Sequence, residues 1–387
     1  MKKEASRKDL LKAAIFLLVF LILLFIPAKI MGLANMLNTM MNTAYRLLVD
    51  TCLYIMAIAV LAGAVSALFS EFGVLDLLNR ILSPLMRPLW GMPGASALGI
   101  VTCYMSDNPA ILALADDPDY RRFFKAYQIP ALTNLGTAFG MGLIVTSCML
   151  GLGGYVGSGI GAAVLCGNFG AIIGSIVSTR LMHISSKKKY GTEKTALETQ
   201  THSQAPDDNR TEEDNTSNNG IFMRVINALL SGGKTGVDMG LGIIPGVCII
   251  CTIVMMLTNG PSANGVYTGA AYEGIRLLPL LGDKLGFILT PLFGFSSGEC
   301  VSVPITALGS AGAALGTVKT LAASGTIDCG DIAVFTSMCM CWSGYLSTHC
   351  SMMDMLGCRS LTGKSILSHT IGGLAAGISA HLLFLLF

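Results

Sequence analysis

Charge is what this chain lacks: 12% of its 387 residues are Asp, Glu, Lys or Arg, against about 25% in an average soluble domain. So few charges cannot clothe a water-facing surface, whereas a lipid-facing one needs none. The formal net charge of +2 gives no electrostatic footprint for nucleic acid. Catalytic signatures are missing too. There is no Gly-x-x-x-x-Gly-Lys-Ser/Thr phosphate loop, no His-Glu-x-x-His zinc motif and no evident nucleophile–base pair, so an enzyme is not expected. Nor is there a secreted disulfide framework. The 12 cysteines sit mostly inside apolar runs, as Cys52, Cys148, Cys166 and Cys248 do, and read as small residues at helix contacts.

What is present is apolar sequence in long runs. Leu11 to Met31 has an uncharged centre, AAIFLLVFLILLFIPA, and about 20 such residues cross a hydrocarbon core of about 30 Å. Lys2, Lys3, Arg7 and Lys8 precede it, as in a signal peptide. The run exceeds the usual length of about 7–15 residues, however, and lacks a small-x-small cleavage site, so a retained span is expected. One long polar stretch, Ser185 to Asn219, lacks aliphatic periodicity and reads as a disordered linker.

The segments flanking that linker resemble each other. Val49-Asp50 opens one hydrophobic run and Val237-Asp238 another; Pro88-Leu89-Trp90-Gly91-Met92 is matched by Pro291-Leu292-Phe293-Gly294-Phe295. The offset grows from 188 at the Val-Asp pair to 203 at the Pro-Leu junction, through an insertion near Thr258 to Gly269. The expected organisation is an N-terminal tail and first helix over 1–48, a first membrane repeat over 49–183, a disordered cytoplasmic linker over 184–222, and a second repeat over 223–387.

Basic residues set the topology. If 92–116 and 287–315 each dip into the membrane and return, spans fall at 11–31, 49–70, 129–150, 157–182, 237–257, 331–347 and 366–387. All but Lys29, Arg46, Arg276, Lys284 and Lys319 of the 25 basic residues then lie on the N-terminal side. The positive-inside bias makes that side cytoplasmic. Each repeat has three crossings, so the second is upside down relative to the first. The fold expected is an all-α polytopic membrane protein of two inverted-topology repeats, each with three spans and a re-entrant or broken segment, plus an extra N-terminal span.

Re-entrant backbone persists in a membrane only where protein or water satisfies its polar groups. In the first repeat the candidate break is Ser106-Asp107-Asn108-Pro109, where proline removes a helical donor and restricts the residue before it. In the second it is Ser296-Ser297-Gly298-Glu299, followed by Ser302 and Pro304. Broken helices supply dipole ends and free backbone groups for midplane solute or ion sites. Asp107 and Glu299 are the acidic candidates, facing each other across one site; the alternative is that each caps a helix near water. Asn134 and His349 add intramembrane polar groups. Gly136, Gly140 and Gly142 read as close-packing positions.

These residues resemble the nucleoside-recognition, or Gate, domain membrane proteins. That family includes the spore-maturation A and B pair and the gate regions of concentrative nucleoside carriers and ferrous-iron permeases. The resemblance rests on Gly73 to Met86, Ala97-Leu-Gly, Asp107-Asn108-Pro109-Ala, and Gly294-Phe-Ser-Ser-Gly-Glu-Cys-Val-Ser-Val-Pro304 continuing to Gly309. It implies a helical inverted-repeat fold of transporter type in a bacterial cytoplasmic membrane, with the chain similar to a fusion of two such domains.

The function expected is transport or facilitation of a small polar solute, nucleoside-like or cationic, bound between the two breaks. Ser106, Asp107, Asn108, Asn134, Ser296, Ser297, Glu299, Ser302 and His349 would contact the solute or a coupling ion. No cofactor and no resident metal are expected. The partners are the lipid bilayer and the solute or ion, with a homo-oligomer left open. Two rivals stand beside this reading: a metal permease using Glu299, Cys300, His349 and Cys350, and a non-transporting structural or regulatory component of the spore-maturation kind.

Overall fold

The computed structural model describes residues 7–108, 110–116, 118–196, 220–262 and 264–387. Among them the chain is helical throughout, with one isolated β-bridge between Lys125 and Thr195. The principal helices are α1 (Arg7–Met31), α2 (Leu33–Glu71), α3 (Val74–Leu85), α4 (Ser96–Met105), α5 (Ala110–Asp116), α6 (Ile129–Thr137), α7 (Gly142–Leu150) and α8 (Ile160–Tyr190). They continue as α9 (Ile221–Thr258), α10 (Leu277–Phe293), α11 (Ser302–Gly309), α12 (Ala311–Ala323), α13 (Cys329–Cys341), α14 (Tyr345–Met355) and α15 (Thr362–Phe384). Six stretches are long and apolar enough to cross a membrane, and α10 with the segment up to Gly309 forms a pair bent by 78°. This is an all-α polytopic membrane protein.

The two halves correspond element by element, α2 with α9 through α8 with α15. The first of these pairs starts at Leu33 and Ile221, the offset of 188 already seen at the Val-Asp pair. Leu33 lies within residues 1–48, the segment expected for the N-terminal unit. Both long helices relax into a π-helical turn midway, at Leu47–Cys52 and Val247–Cys251. The Pro-Leu junctions end on Gly91 and Gly294, with φ of +71° and +66°, a left-handed conformation that glycine adopts without a Cβ clash.

Glycines fix how the halves meet. A Cβ on Gly232 would strike the Gly63 carbonyl, one on Gly236 the Ala59 carbonyl, and one on Gly240 the Met56 side chain. Numbers fall along α2 as they rise along α9, so the two helices cross antiparallel. The same holds where Gly170 packs on Ala380, Gly174 on Ala376, and Gly372 on Ser178. Corresponding helices thus traverse the membrane in opposite senses, as inverted repeats require. Without a hydrophobic driving force in lipid, such backbone-to-backbone approach is what holds helices together.

α1 stands apart: Phe16, Leu18 and Phe25 are exposed as on a helix wrapped by lipid. No residue of α3 is buried, and its apolar Leu77, Ile81 and Leu85 lie exposed, as in an amphipathic helix at a membrane surface.

The expected span at 129–150 falls within Ala126–Leu150, which is long and apolar enough to cross though broken into α6 and α7, and 331–347 is likewise broken, into α13 and α14. The linker bounds need correction. Helix α8 continues through Tyr190, so the segment from 184 is ordered at first; Lys187–Lys189 occupy its last turn, where cations suit the helix dipole. Residues up to 196 are then tied down by Ala126 N–H bonding to the Lys194 carbonyl and Ala196 N–H to the Phe124 carbonyl. The remaining linker residues, 197–219, lie outside those described, as does Pro109.

Candidate functional site

Four helix breaks separate α4 from α5, α6 from α7, α11 from α12 and α13 from α14. Counted from the Pro-Leu junction, the offset of 203 carries Asp107 to Ser310 and Met141 to Gly344. Met141 and Gly344 are the N-cap residues of α7 and α14, both left-handed, with φ of +56° and +68°. The breaks are therefore equivalent in pairs.

They also converge. Asn108, 1% exposed, donates from Nδ2 to the Ser343 carbonyl at 2.9 Å, joining the first hairpin tip to the α13–α14 break. A Cβ on Gly140 would overlap Asn108 Oδ1, so the same side chain lies against the α6–α7 break. Gly344 N–H donates to the Ala307 carbonyl at 3.0 Å, and its Cα side faces Gly309 and Ser310, which brings in the second hairpin tip. Asn108 Oδ1 accepts no hydrogen bond. Beside it Asp107 is half-buried and receives only Asn108 N–H, at 2.7 Å, among the hydrogen bonds of its side chain. Ser106 is the C-cap of α4. Tyr104 anchors this tip: its ring lies on Gly142, and its hydroxyl meets Thr146 Oγ1 and Asn168 Oδ1, both at 2.9 Å.

The second sequence-predicted cluster lies elsewhere. Ser296 donates N–H and Oγ–H to the Asp331 carboxylate in the first turn of α13, whereas Asn108 bonds Ser343 just past the other end. At about 1.5 Å per residue the two attachment points are about 18 Å apart. Ser296 and Ser297 line an open pocket of about 220 Å³ with Asp283, Thr290, Phe295 and Gly298. Glu299 pairs with Arg276 at 3.8 Å, and Ser302 is buried, bonding back to the Glu299 carbonyl at 2.6 Å. The expectation that Glu299 faces Asp107 is thus corrected. Ser-Ser-Gly marks the base of the second hairpin, and its tip is Ser310. By the junction offset Glu299 corresponds to Ser96, not to Asp107.

Asn134 and His349 belong to a third cluster, a buried polar seam between α6, α8, α14 and α15. Asn134 Nδ2 donates to Ser178 Oγ at 2.8 Å, Ser368 Oγ at 3.1 Å and the Ser365 carbonyl at 3.1 Å, while Ser365 Oγ donates back to Asn134 Oδ1 at 2.7 Å. His369 Nε2 donates to the Cys341 carbonyl at 2.6 Å, and Nδ1 accepts from Ser178 Oγ at 2.9 Å. His369 thereby satisfies a carbonyl at the end of α13. His349 is fully buried, 4.6 Å from the His369 ring centroid, and among the described residues only the Tyr345 carbonyl approaches its ring nitrogens, short of normal hydrogen-bond geometry.

The residues suggested for a metal permease are not assembled. Cys350 is exposed, and Cys300 Sγ is 3.3 Å from Asp331. Among the described residues no three His, Cys, Asp or Glu side chains are grouped to hold an ion. Ser310, Gly140 and His369 carry the junction and its bracing without having been site candidates, whereas Ser343 falls at the polar interruption Cys341–Tyr345 that the sequence marks in the second half. The 203 offset, applied beyond the junction, leads from Asp107 to Ser310.

Two hairpins whose tips meet two broken helices, in inverted repeats, define the membrane fold. Solved structures show the same fold in the concentrative nucleoside transporter CNTnw. A doubly substituted form of it in an outward-facing state is 16% identical with a TM-score of 0.50, covering 87% of this chain and 75% of that one. The inward-facing substrate-bound state gives 15% and 0.50 over the same shares. A singly substituted form in the intermediate 1 state gives 14% and 0.51, over 86% and 76%. No family model matches the chain, and no curated protein does. At this identity what is shared is the fold.

Proposed function

We propose that the protein is a membrane carrier or facilitator of a small polar solute, and that the solute or a coupling ion binds where the four helix breaks meet. The observation that carries this reading is Asn108, buried at the junction with an amide oxygen that accepts no hydrogen bond. A buried polar group without a partner costs about 1–3 kcal/mol, and at a helix break it is the kind of group a ligand satisfies. Asp107, alongside, supplies the negative charge for a coupling cation or a cationic solute. Ser106, Ser310 and Ser343 add hydroxyl and backbone groups from three of the breaks.

The pocket of Ser296 and Ser297, with Glu299 at its rim and Ser302 behind, is a second station on the solute's path, at the base of the second hairpin. Asn134 and His349 act from the seam beneath the junction. The fold shared with a nucleoside transporter makes nucleosides the first solutes to try. The N-terminus lies in the cytoplasm of a bacterial cell, following the loop charges.

Purified protein in liposomes, offered nucleosides, amines, amino acids and metal ions, tests this. Flux of at least one solute, reduced tenfold or more by Asn108→Ala and by Asp107→Asn, is expected. A folded sample giving no flux above empty liposomes for any solute overturns it.

A further inference from the structure

The seam holds a group that the junction does not use. His349 lies on α14 one turn beyond the Gly344 break, fully buried, and its ring nitrogens meet no hydrogen-bond partner of normal geometry, the Tyr345 carbonyl one turn back being the one backbone group that approaches them among the described residues. Its neighbours are aromatic: Tyr345 edge-on at 5.4 Å and His369 at 4.6 Å between centroids. His369 is committed at both nitrogens, donating to the Cys341 carbonyl and accepting from Ser178. A proton added to its Nδ1 would reverse the Ser178 bond, turning that hydroxyl from donor to acceptor beside the Asn134 amide it already accepts from. His349 has only the Tyr345 carbonyl near its ring nitrogens, which accepts from one of them, so the other can take a proton without breaking a hydrogen bond.

We infer that His349 is a proton-binding site coupled to movement of α14. No helix packed against α14 brings His349 a counter-ion, and the turn Arg359–Leu361 beside α14 carries only a cation. α6 offers Thr133, Asn134 and Thr137, none of them titratable; α11, from Ser302 to Gly309, carries no charge; α15 brings His369 and Thr370. On α14 itself Tyr345 is a neutral phenol bonded to Thr370 at 2.6 Å, Cys350 is exposed, and Asp354 points away to pair with Arg359 at 3.9 Å. An imidazolium here would be a buried, unpaired charge, which costs several kcal/mol. Protonated His349 and this conformation therefore exclude each other. Water must reach the ring before the proton does, and the left-handed Gly344 joins α14 to α13 as a hinge. The proton adds to the lone pair of one ring nitrogen and leaves by the same route; no other bond is made or broken. A ligand that binds one state better shifts the equilibrium toward it, so proton binding favours the state in which α14 has opened. What that opening drives rests on the carrier reading, but the protonation does not.

Trp342 lies in the break itself, stacked on Tyr345 with centroids 6.2 Å apart, and Trp90 is the other of the chain's 2 tryptophans. A Trp90→Phe protein in nanodiscs therefore reports the break through Trp342 emission, with no solute required. Titration from pH 8 to 5 is expected to show a red shift, kept in His183→Gln and lost in both His349→Gln and His349→Phe. Phenylalanine fills the same space without the ring nitrogens, so it tests the inference if glutamine prevents folding. No emission change in the parent, or a change that survives either folded His349 substitution, overturns the inference. Neither result bears on whether a solute crosses the membrane, which the liposome flux decides.

Discussion

Gly140 and Asn108 set up a test of the junction in which two changes should nearly cancel. Gly140→Ala puts a methyl group where the Asn108 amide oxygen sits. Asn108 must then withdraw, which breaks its 2.9 Å bond to the Ser343 carbonyl and loosens the hairpin tip. Overpacking a close-packed site costs about 1–3 kcal/mol, and a buried carbonyl left without its donor about 1–3 kcal/mol more. We therefore expect Gly140→Ala to destabilise the protein by about 2–6 kcal/mol. Asn108→Ala alone should cost only the hydrogen bond, about 1–3 kcal/mol. In the double variant the methyl group meets an emptied space, so the second change should add almost nothing, and the cycle should give a coupling as large as the cost of Gly140→Ala alone, about 2–6 kcal/mol. Thermal unfolding in detergent, followed by helical circular dichroism and tryptophan emission, measures all four corners. Additive effects, or a Gly140→Ala protein as stable as the parent, would refute the convergence of the breaks.

Other predictions concern the framework. Gly236→Leu should disrupt the antiparallel crossing of α2 and α9, because its side chain would enter the Ala59–Val60 backbone, and should lower the melting temperature more than Gly154→Leu, where nothing lies within 4 Å. Glu273 is buried and accepts from Thr268 N–H and Oγ, Gly269 N–H and Thr39. Burial pushes its carboxyl up, but these hydrogen bonds outweigh it and leave it below its ordinary value of 4.5. Its contribution is therefore complete above pH 4.5 and fades as pH falls below that. Glu273→Gln should cost about 1–3 kcal/mol at pH 7, with the gap to the parent closing in a melting series carried down to pH 3. Asp331→Ala should strand the donors of Ser296 and Asp328, destabilise by about 1–3 kcal/mol, and open the second hairpin's base to proteases at Ser296–Gly298.

Much of the architecture was legible because it rests on local chemistry. Membrane runs show as apolar length, the junctions as Pro-Leu-aromatic-Gly, and the inversion of the repeats as loop charge. The breaks after the hairpins were not legible as breaks: Phe139-Gly140-Met141 looks like a close-packing position inside an apolar run and Ser343-Gly344 like a polar interruption of one, and what makes them breaks is the left-handed backbone. Ser296-Ser297-Gly298 misled for the opposite reason. It is polar and flexible, as a tip would be, but its serines are spent on Asp331, 35 residues away, and on Cys300 within the same turn. The seam was hidden because its bonds cross the whole chain, as from Asn134 to Ser365, and no periodicity within one helix announces a partner in another.

The central claim is that the meeting of the four breaks is the binding site. A cryo-electron microscopy map in nanodiscs, recorded with the solute that gives flux in liposomes, tests it most directly. Non-protein density is predicted within hydrogen-bonding distance of Asn108 Oδ1 and the backbone of Ser343–Gly344. Density confined to the pocket of Ser296 and Ser297, with Asn108 still packed against Gly140, would contradict it.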